Sequence, residues 1–200
     1  LGRRLSELAC ELLAVRRFMT NVFENARRIL EHAELIYPAE QLTLQIKRLS
    51  DEISSTLAEQ YPLVLSVMGG AVVFTGQLLP LLNFPLDFDY LHASRYNHAF
   101  QGSTLHWKIA PPEEVSGRVI LVLDDVLDER HTMAAIRQRV LAMGAKQFYC
   151  AVLADKTINK EKPIKADFVG ITLPNRFVFG FGMDIKGMWR NLPAIYAVKE

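Results

Sequence analysis

Residues 119–133 read VILVLDDVLDERHTM, and this stretch decides the fold class of the chain. Five apolar residues, a length typical of a buried strand, run directly into Asp124 and Asp125, and a third carboxylate follows at Asp128. A helix is predicted to begin near Thr132, where free backbone N–H groups and the positive end of the helix dipole favour phosphate. The three aspartates, whose carboxylates can accept hydrogen bonds from hydroxyl groups, would lie beside this anion site. A sugar phosphate has both hydroxyl groups and an anionic group, so this combination suits it. The alternative is an ordinary turn whose acidic residues cap the helix.

Apolar runs on both sides of this stretch extend the pattern. Strands are predicted at 63–67, 86–96, 105–110, 118–125, 147–154 and 166–173, two helices within 22–60, and further helices at 71–84 and 132–145. Strand and helix alternate, which predicts an α/β fold with a mostly parallel, twisted sheet flanked by helices. Ligands bind such sheets at the carboxyl ends of the strands, so the residues directly after the apolar runs form the candidate site.

The composition indicates one domain with a sizeable core. Of the 200 residues, 50% are hydrophobic and 22% are charged, and the net charge of +1 argues against a general affinity for nucleic acid. The two cysteines, Cys10 and Cys150, form neither a metal motif nor a disulfide framework. No apolar run reaches the roughly 18 residues of a membrane span. We therefore expect a cytoplasmic protein that binds neither nucleic acid nor membrane.

Residues 1–18 differ from the rest of the chain. Leucines recur there at helical spacing, with arginines at both ends, and Met19 begins a second helical pattern. We expect residues 1–18 to be an extension outside the domain, with a native helix as the alternative. Residues 19–200 are then expected to form the single domain.

The segment quoted above resembles the signature of type I phosphoribosyltransferases, in which an apolar strand precedes an acidic pair, two apolar residues and the pattern D-x-G-x-T. In that family the acidic pair binds the ribose hydroxyls, and the following loop binds the 5-phosphate. The resemblance implies ribose binding by Asp124 and Asp125 and general-base catalysis by Asp128. It also implies a phosphate loop that consists of Asp128, Glu129, Arg130, His131 and Thr132.

The chain from about Phe23 to Val198 is similar to hypoxanthine-guanine phosphoribosyltransferases. VMGG (67–70) resembles their pyrophosphate loop, and ADKT (154–157) contains a lysine where the family reads the purine 6-oxo group. The segment 166–193, which includes RFVFGFGMDIKGMWRNLP, resembles their carboxyl-terminal region. The roles implied are pyrophosphate binding by Met68, Gly69, Gly70, Arg95 and Arg190; a mobile loop with Ser94 and Tyr96; and purine binding by Lys156, Phe177, Val178 and Asp184.

This resemblance implies an enzyme of purine salvage. It would transfer a 5-phosphoribosyl group from phosphoribosyl pyrophosphate to hypoxanthine or guanine, with Mg²⁺ as cofactor. Asp184, Asp124 and Asp125 would be the metal-binding residues. The type I fold further implies a body at about 60–160 and a small hood, formed by the N-terminal helices and residues 161–200. We also expect a homodimer or homotetramer.

Other functions share parts of this pattern. A receiver-type signalling domain also has a strand that ends in two aspartates, but that strand opens the domain, whereas several predicted strands precede Asp124. A second alternative is a weakly catalytic nucleotide-sensing regulator of the same fold. If it acted on RNA, it would be expected to have a basic face, which the net charge of +1 disfavours. A xanthine-preferring phosphoribosyltransferase is the third alternative.

Three positions depart from the family pattern. Met68 stands where many members have a lysine or arginine. Arg95 separates the usual serine and tyrosine, and it would supply the missing positive charge. The glycine of D-x-G-x-T is Arg130 in this chain, although glycine suits a loop whose backbone must adopt positive φ or lie against a ligand.

The effect of Arg130 is tested by the substitution Arg130→Gly. If the arginine is held in a left-handed conformation at a cost of about 1–2 kcal/mol, glycine raises kcat/KM for phosphoribosyl pyrophosphate by up to about thirtyfold. We expect this result, because a five-residue loop leaves little room for a long side chain. The alternative is a bidentate contact between the guanidinium and the 5-phosphate, in which case glycine weakens substrate affinity. Steady-state kinetics at fixed magnesium distinguish the two outcomes.

Overall fold

Two sheets organise the chain in the computed structural model, which describes residues 21–95, 105–128, 131–158 and 163–199. In chain order the elements are α1 (21–31), β1 (Ala33–Tyr37), α2 (Ala39–Leu57), β2 (Leu63–Val67), α3 (Val72–Leu78), β3 (Asp87–Arg95), β4 (Leu105–Ile109), β5 (Val119–Leu127), α4 (His131–Ala142), β6 (Gln147–Lys156), β7 (Phe168–Leu173), β8 (Val178–Phe179) and β9 (Ile195–Val198). Short 3-10 helices lie at Leu79–Leu81 and Glu113–Val115. None of the helices described is long and apolar enough to cross a membrane.

The larger sheet has six strands in the order β4-β3-β2-β5-β6-β7. Every neighbouring pair is parallel except β3 with β4. This order confirms the predicted mostly parallel sheet flanked by helices. Strands β2 and β5 are neighbours, and Ser66 lies opposite Leu123 in their register. The turn that follows β2 is therefore placed beside Asp124 and Asp125.

Helix α2 covers one face of this sheet with an apolar stripe. Its fully buried apolar side chains recur every three or four residues, as on one face of a helix: Leu42, Ile46, Leu49, Ile53 and Leu57. Burial of each such side chain contributes about 1.5–3 kcal/mol. The stripe shares a core with residues of α3, β5, β6 and β7, and α4 covers the opposite face of the sheet.

The smaller sheet, the hood, joins both ends of the described chain. Its three antiparallel strands have the order β1-β9-β8. The sequence predicts helix across residues 33–36, with a break at 37–40, and the helix prediction for this strand was wrong. The segment is a strand because it pairs with β9, which lies near the other end of the chain. The local spacing of apolar residues cannot predict pairing with so distant a segment.

The border between body and hood also differs from the expected one. β7 pairs with β6 in the larger sheet, so the body extends beyond residue 160, and α2 packs on the body. Of the strands after residue 160, β8 and β9 belong to the hood sheet and β7 does not. Residues 1–18, expected to lie outside the domain, are not among the described residues.

Candidate active site

Two buried carboxylates lie near the carboxyl end of β5, which continues past them to Leu127. Asp124 and Asp125 are each 9% exposed. The backbone N–H of Asp125 donates to Asp124 Oδ1 at 3.0 Å, and that of Val126 donates to Asp125 Oδ1 at 2.8 Å. Burial, followed by the charge of Asp125, raises the pKa of Asp124 well above its ordinary 3.8, and burial also raises the pKa of Asp125. Hydroxyl donors or a cation would relieve this electrostatic cost.

Gly70, in the turn after β2, lies directly against this pair. A Cβ atom on residue 70 would be 2.0 Å from Asp125 Oδ2, so any larger residue must displace the carboxylate or the turn. At Gly69, a Cβ atom would meet no atom within 4 Å, and the peptide bond between Met68 and Gly69 is cis. The predicted pyrophosphate loop is thus in contact with the predicted ribose-binding pair.

A second glycine brings the carboxyl-terminal region to the same point. Gly182 has φ +99°, and a Cβ atom there would be 1.9 Å from the carbonyl oxygen of Gly70. Sequence reasoning missed Gly182, because FVFGFG (177–182) resembled an ordinary aromatic core stripe. The available signal was the glycine on either side of Phe181.

The same region places a carboxylate and a guanidinium near the acidic pair. Arg190 donates to Asp184 Oδ1 at 2.5 Å and to the carbonyl oxygen of Gly182 at 2.6 Å. Asp184 Oδ2 accepts a hydrogen bond from the backbone N–H of Gly187 at 2.6 Å. The positive charge of Arg190 also reaches Asp125, where it opposes the effect of burial on the pKa. Two residues predicted separately, for metal and for pyrophosphate, are therefore paired with each other.

A second ion pair joins the predicted catalytic base to the predicted purine reader. Lys156 Nζ donates to Asp128 Oδ2 at 2.7 Å. The two residues are brought together because β5 and β6 are adjacent, with Leu127 opposite Asp155 in the register. The lysine side chain is 10% exposed, whereas that of Asp128 is 46% exposed and can be approached from solvent.

Two residues predicted to bind the purine lie at the hood sheet: Phe177, which the resemblance implies stacks on the base, and Val178, whose main chain would contact the base edge. Phe177 is 56% exposed, so its ring is available for stacking. The side chain of Val178 packs into the core, and β8 is an edge strand of the hood sheet as far as the structure describes it. A ligand contact at Val178 would therefore involve its main chain, and the predicted role in purine binding stays a prediction.

Several predicted residues lie outside what the structure describes. Tyr96, Glu129 and Arg130 are not among the described residues, and the side chains of Ser94, Arg95 and His131 are not described either. Thr132 lies in the first turn of α4, which begins at His131, close to the predicted start. The phosphate loop and the mobile loop therefore stay predictions.

The described residues include no group of three or more histidine, cysteine, aspartate or glutamate side chains arranged to hold a metal ion. Asp124, Asp125 and Asp184 are thus not brought together as a metal centre of their own. A cation at this site would need ligand oxygens in addition to these carboxylates, which fits a metal that arrives with a polyphosphate.

The raised pKa of Asp124 generates a prediction about stability. The folded protein keeps a proton on the acidic pair at pH values where the unfolded chain, with the ordinary pKa of 3.8, has lost it. The free energy of unfolding therefore falls as the pH rises from about 4 through the folded pKa, and this loss persists at higher pH. Asp124→Asn removes the charge but keeps the acceptor for the Asp125 N–H. We expect its melting temperature near pH 8 to rise by about 2–4 °C for each 1 kcal/mol relieved.

Thermal unfolding between about pH 4 and pH 8 measures this effect. The control is Asp51→Asn, since the side chain of Asp51 is 73% exposed. A gain that grows with pH in the Asp124 variant alone supports the assignment. A gain that is independent of pH, or equal in the two variants, contradicts it.

Comparison with known proteins identifies the family to which this arrangement belongs. Residues 32–186 match the phosphoribosyl transferase domain family. The hypoxanthine-guanine phosphoribosyltransferase of Bacillus subtilis (strain 168) is 30% identical over 168 residues, which cover 83% of this chain and 93% of the relative. A solved hypoxanthine-guanine-xanthine phosphoribosyltransferase is 27% identical, with a TM-score of 0.70, over 84% of this chain and 94% of the other.

Solved structures with lower sequence identity are similar to this chain in fold. The hypoxanthine phosphoribosyltransferase of Trypanosoma cruzi, solved as a mutant in complex with the product IMP, has a TM-score of 0.78 at 23% identity, over 84% of this chain and 93% of the other. The predicted type I phosphoribosyltransferase fold is confirmed by these neighbours. The acidic pair on β5, the glycine turn after β2 and the matches over most of the chain agree, and the chain belongs to the phosphoribosyltransferase family.

Proposed function

We propose that the protein transfers the 5-phosphoribosyl group of phosphoribosyl pyrophosphate to hypoxanthine or guanine, and so forms IMP or GMP and pyrophosphate in purine salvage. The observation that carries this assignment is the 2.7 Å contact between Lys156 and Asp128 beside the buried acidic pair. The 6-oxo group and N7 of these purines lie on one edge of the base. In the free base with its proton on N7, that edge presents an acceptor at O6 and a donor at N7, which an adjacent lysine and carboxylate match.

The acidic pair binds the ribose of the substrate in this proposal. Asp124 and Asp125 accept hydrogen bonds from ribose hydroxyls, which offsets the burial that raises their pKa. As pyrophosphate departs, positive charge develops at the anomeric carbon, and carboxylates fixed beside it stabilise that charge. Purine N9 then forms the new bond to the anomeric carbon, and Asp128 accepts the purine's proton as general base.

The pyrophosphate lies between the glycine turn and Arg190. The predicted loop is Met68, Gly69 and Gly70. Its N–H donors for an anion are those of Gly69 and Gly70, since the N–H of Met68 donates to the carbonyl oxygen of Leu91 at 2.8 Å. Arg190 supplies a positive charge that its ion pair with Asp184 holds in place.

Asp184, Asp124 and Asp125 stay the candidate Mg²⁺ ligands, but the ion would also need oxygens of the pyrophosphate, since the three carboxylates form no metal centre by themselves. When bound, the ion neutralises charge on the leaving pyrophosphate. The first turn of α4, with Thr132, suits the 5-phosphate, because a helix start favours anions.

We also propose a homodimer or homotetramer. Val72, Phe88 and Tyr90 are 47%, 45% and 41% exposed. In the register of β2 with β3, Phe88 lies opposite Val64, and Tyr90 lies opposite Ser66. The hydroxyl group of Ser66 is hydrogen-bonded to that of Thr75 in α3. Both aromatic residues therefore lie on the sheet face that α3 covers in part, and exposed apolar side chains of this kind support association of copies. The cytoplasmic location stays a prediction.

The function is tested with five bases. Purified protein, Mg²⁺ and phosphoribosyl pyrophosphate are incubated with hypoxanthine, guanine, xanthine, adenine or uracil, and nucleotide and pyrophosphate are quantified. Hypoxanthine and guanine should react, whereas adenine should be poorer by about a hundredfold or more, because Lys156 donates to a 6-oxo group and cannot accept from a 6-amino group. Comparable turnover of adenine would contradict the role of Lys156. Preferential turnover of xanthine would favour the xanthine alternative.

Two variants separate the carboxylates in the same assay. Asp128→Ala should lower kcat by about a hundredfold or more, as the loss of a general base does, and should leave the dependence on magnesium unchanged. Asp184→Ala should instead weaken the apparent affinity for magnesium or pyrophosphate. Identical magnesium profiles for the two variants would contradict this division of roles.

A further inference from the structure

The loop that carries Asp184 and Arg190 is bonded mainly to itself. Ile185 and Met188 exchange two backbone hydrogen bonds at 3.0 Å, and Asp184 bonds both to Gly187 and to Arg190. These bonds tie Asp184 and Arg190 into one loop, so contacts between this loop and the rest of the chain help to set the positions of both. We call residues 182–190 the pyrophosphate arm.

One outer contact of the pyrophosphate arm comes from a tryptophan. The indole Nε1 of Trp189 donates to the carbonyl oxygen of Ala26, in α1, at 2.9 Å. Among the described residues, this is the one hydrogen bond that joins residues 21–32 to the rest of the chain. At the other end of the arm, Gly182 lies against Gly70, and the side chain of Met183 packs into the core. The arm is thus held by the glycine turn and the core at one end and by α1 at the other.

An open cavity of about 490 Å³ lies beside this contact. It is lined by residues within 25–32, by Val198 and Lys199 at the end of β9, and by Ile185 as its one residue from the arm. In the part of the chain that the structure describes, the indole hydrogen bond is therefore the polar link between α1 and the arm.

The backbone at Trp189 is arranged for this contact. Trp189 has φ +68°, in the left-handed region that residues with a Cβ atom rarely adopt. With this backbone conformation, the side chains of Trp189 and Arg190 have different partners. The indole reaches Ala26, and the guanidinium of Arg190 reaches Asp184. Unfavourable backbone conformations persist where a functional constraint holds them.

We infer that Trp189 is a positioning residue for pyrophosphate binding, which acts by tying the pyrophosphate arm to α1. This inference rests on the proposed function, because it takes Asp184 and Arg190 as the residues that meet pyrophosphate and its metal. Loss of the indole N–H should loosen the arm and leave Lys156 and Asp128 in place. The consequence is a selective loss of affinity for phosphoribosyl pyrophosphate.

The chain offers a matched pair of variants, because it has two tryptophans, Trp107 and Trp189. Trp189→Phe keeps an aromatic ring and removes the donor, and Trp107→Phe makes the same change on β4. Steady-state kinetics should show that Trp189→Phe raises KM for phosphoribosyl pyrophosphate by about fivefold, the factor expected for one neutral hydrogen bond. The KM for hypoxanthine and kcat should stay within about twofold. A purely structural role would instead lower the active fraction and kcat, with KM unchanged.

A second measurement holds even where Trp189→Phe fails to fold. In Trp107→Phe, Trp189 is the one indole left, and its emission should change saturably as magnesium pyrophosphate is added. An unchanged KM for phosphoribosyl pyrophosphate in Trp189→Phe, or no emission change in Trp107→Phe, overturns the inference while wild-type turnover stands. Absence of turnover in the wild-type protein would instead overturn the proposed function.

Discussion

The carboxylate of Asp125 occupies the space that a Cβ atom on residue 70 would need. A larger residue in the turn after β2 would therefore displace that carboxylate or the turn, and the contact joins the ends of two adjacent parallel strands into one surface. Gly182 closes against the carbonyl oxygen of Gly70, so the carboxyl-terminal region is held to the same place. Three segments distant in sequence therefore meet within a few ångströms, and each brings residues that suit one part of a phosphoribosyl donor.

The charges around this contact are balanced in pairs. Burial raises the pKa of both Asp124 and Asp125, and the backbone N–H donors of Asp125 and Val126 relieve only part of that effect. Arg190 is bound to Asp184, and Lys156 to Asp128, so these four side chains are already oriented. Orientation before binding reduces the entropy that a substrate must lose, which favours a rapid reaction once the site is filled.

Much of the body could be predicted from the sequence, because its strands are apolar runs that end in polar residues. The strand that carries Asp124 and the start of α4 near Thr132 were predicted from residues 119–133 alone, since the change from apolar strand to acidic turn is local. β1 could not be predicted in this way, because its strand character comes from pairing with β9. The role of Gly182 also depends on a distant residue, Gly70. The pairing of Lys156 with Asp128 follows from the order of β5 and β6, which composition does not reveal.

If the contact between Gly70 and Asp125 builds the substrate site, a larger residue at position 70 must weaken substrate binding. Gly70→Ala forces a Cβ atom to 2.0 Å from Asp125 Oδ2, whereas a Cβ atom at Gly76, in α3 and outside the proposed site, meets no atom within 4 Å. Calorimetric titration with phosphoribosyl pyrophosphate and Mg²⁺ measures the affinity of Gly70→Ala and of Gly76→Ala, with melting temperatures as the check on folding. Overpacking of about 1–3 kcal/mol predicts that Gly70→Ala binds at least about fivefold more weakly, while Gly76→Ala stays near the wild-type protein. Equal affinities for the two folded variants would show that this contact does not build the site.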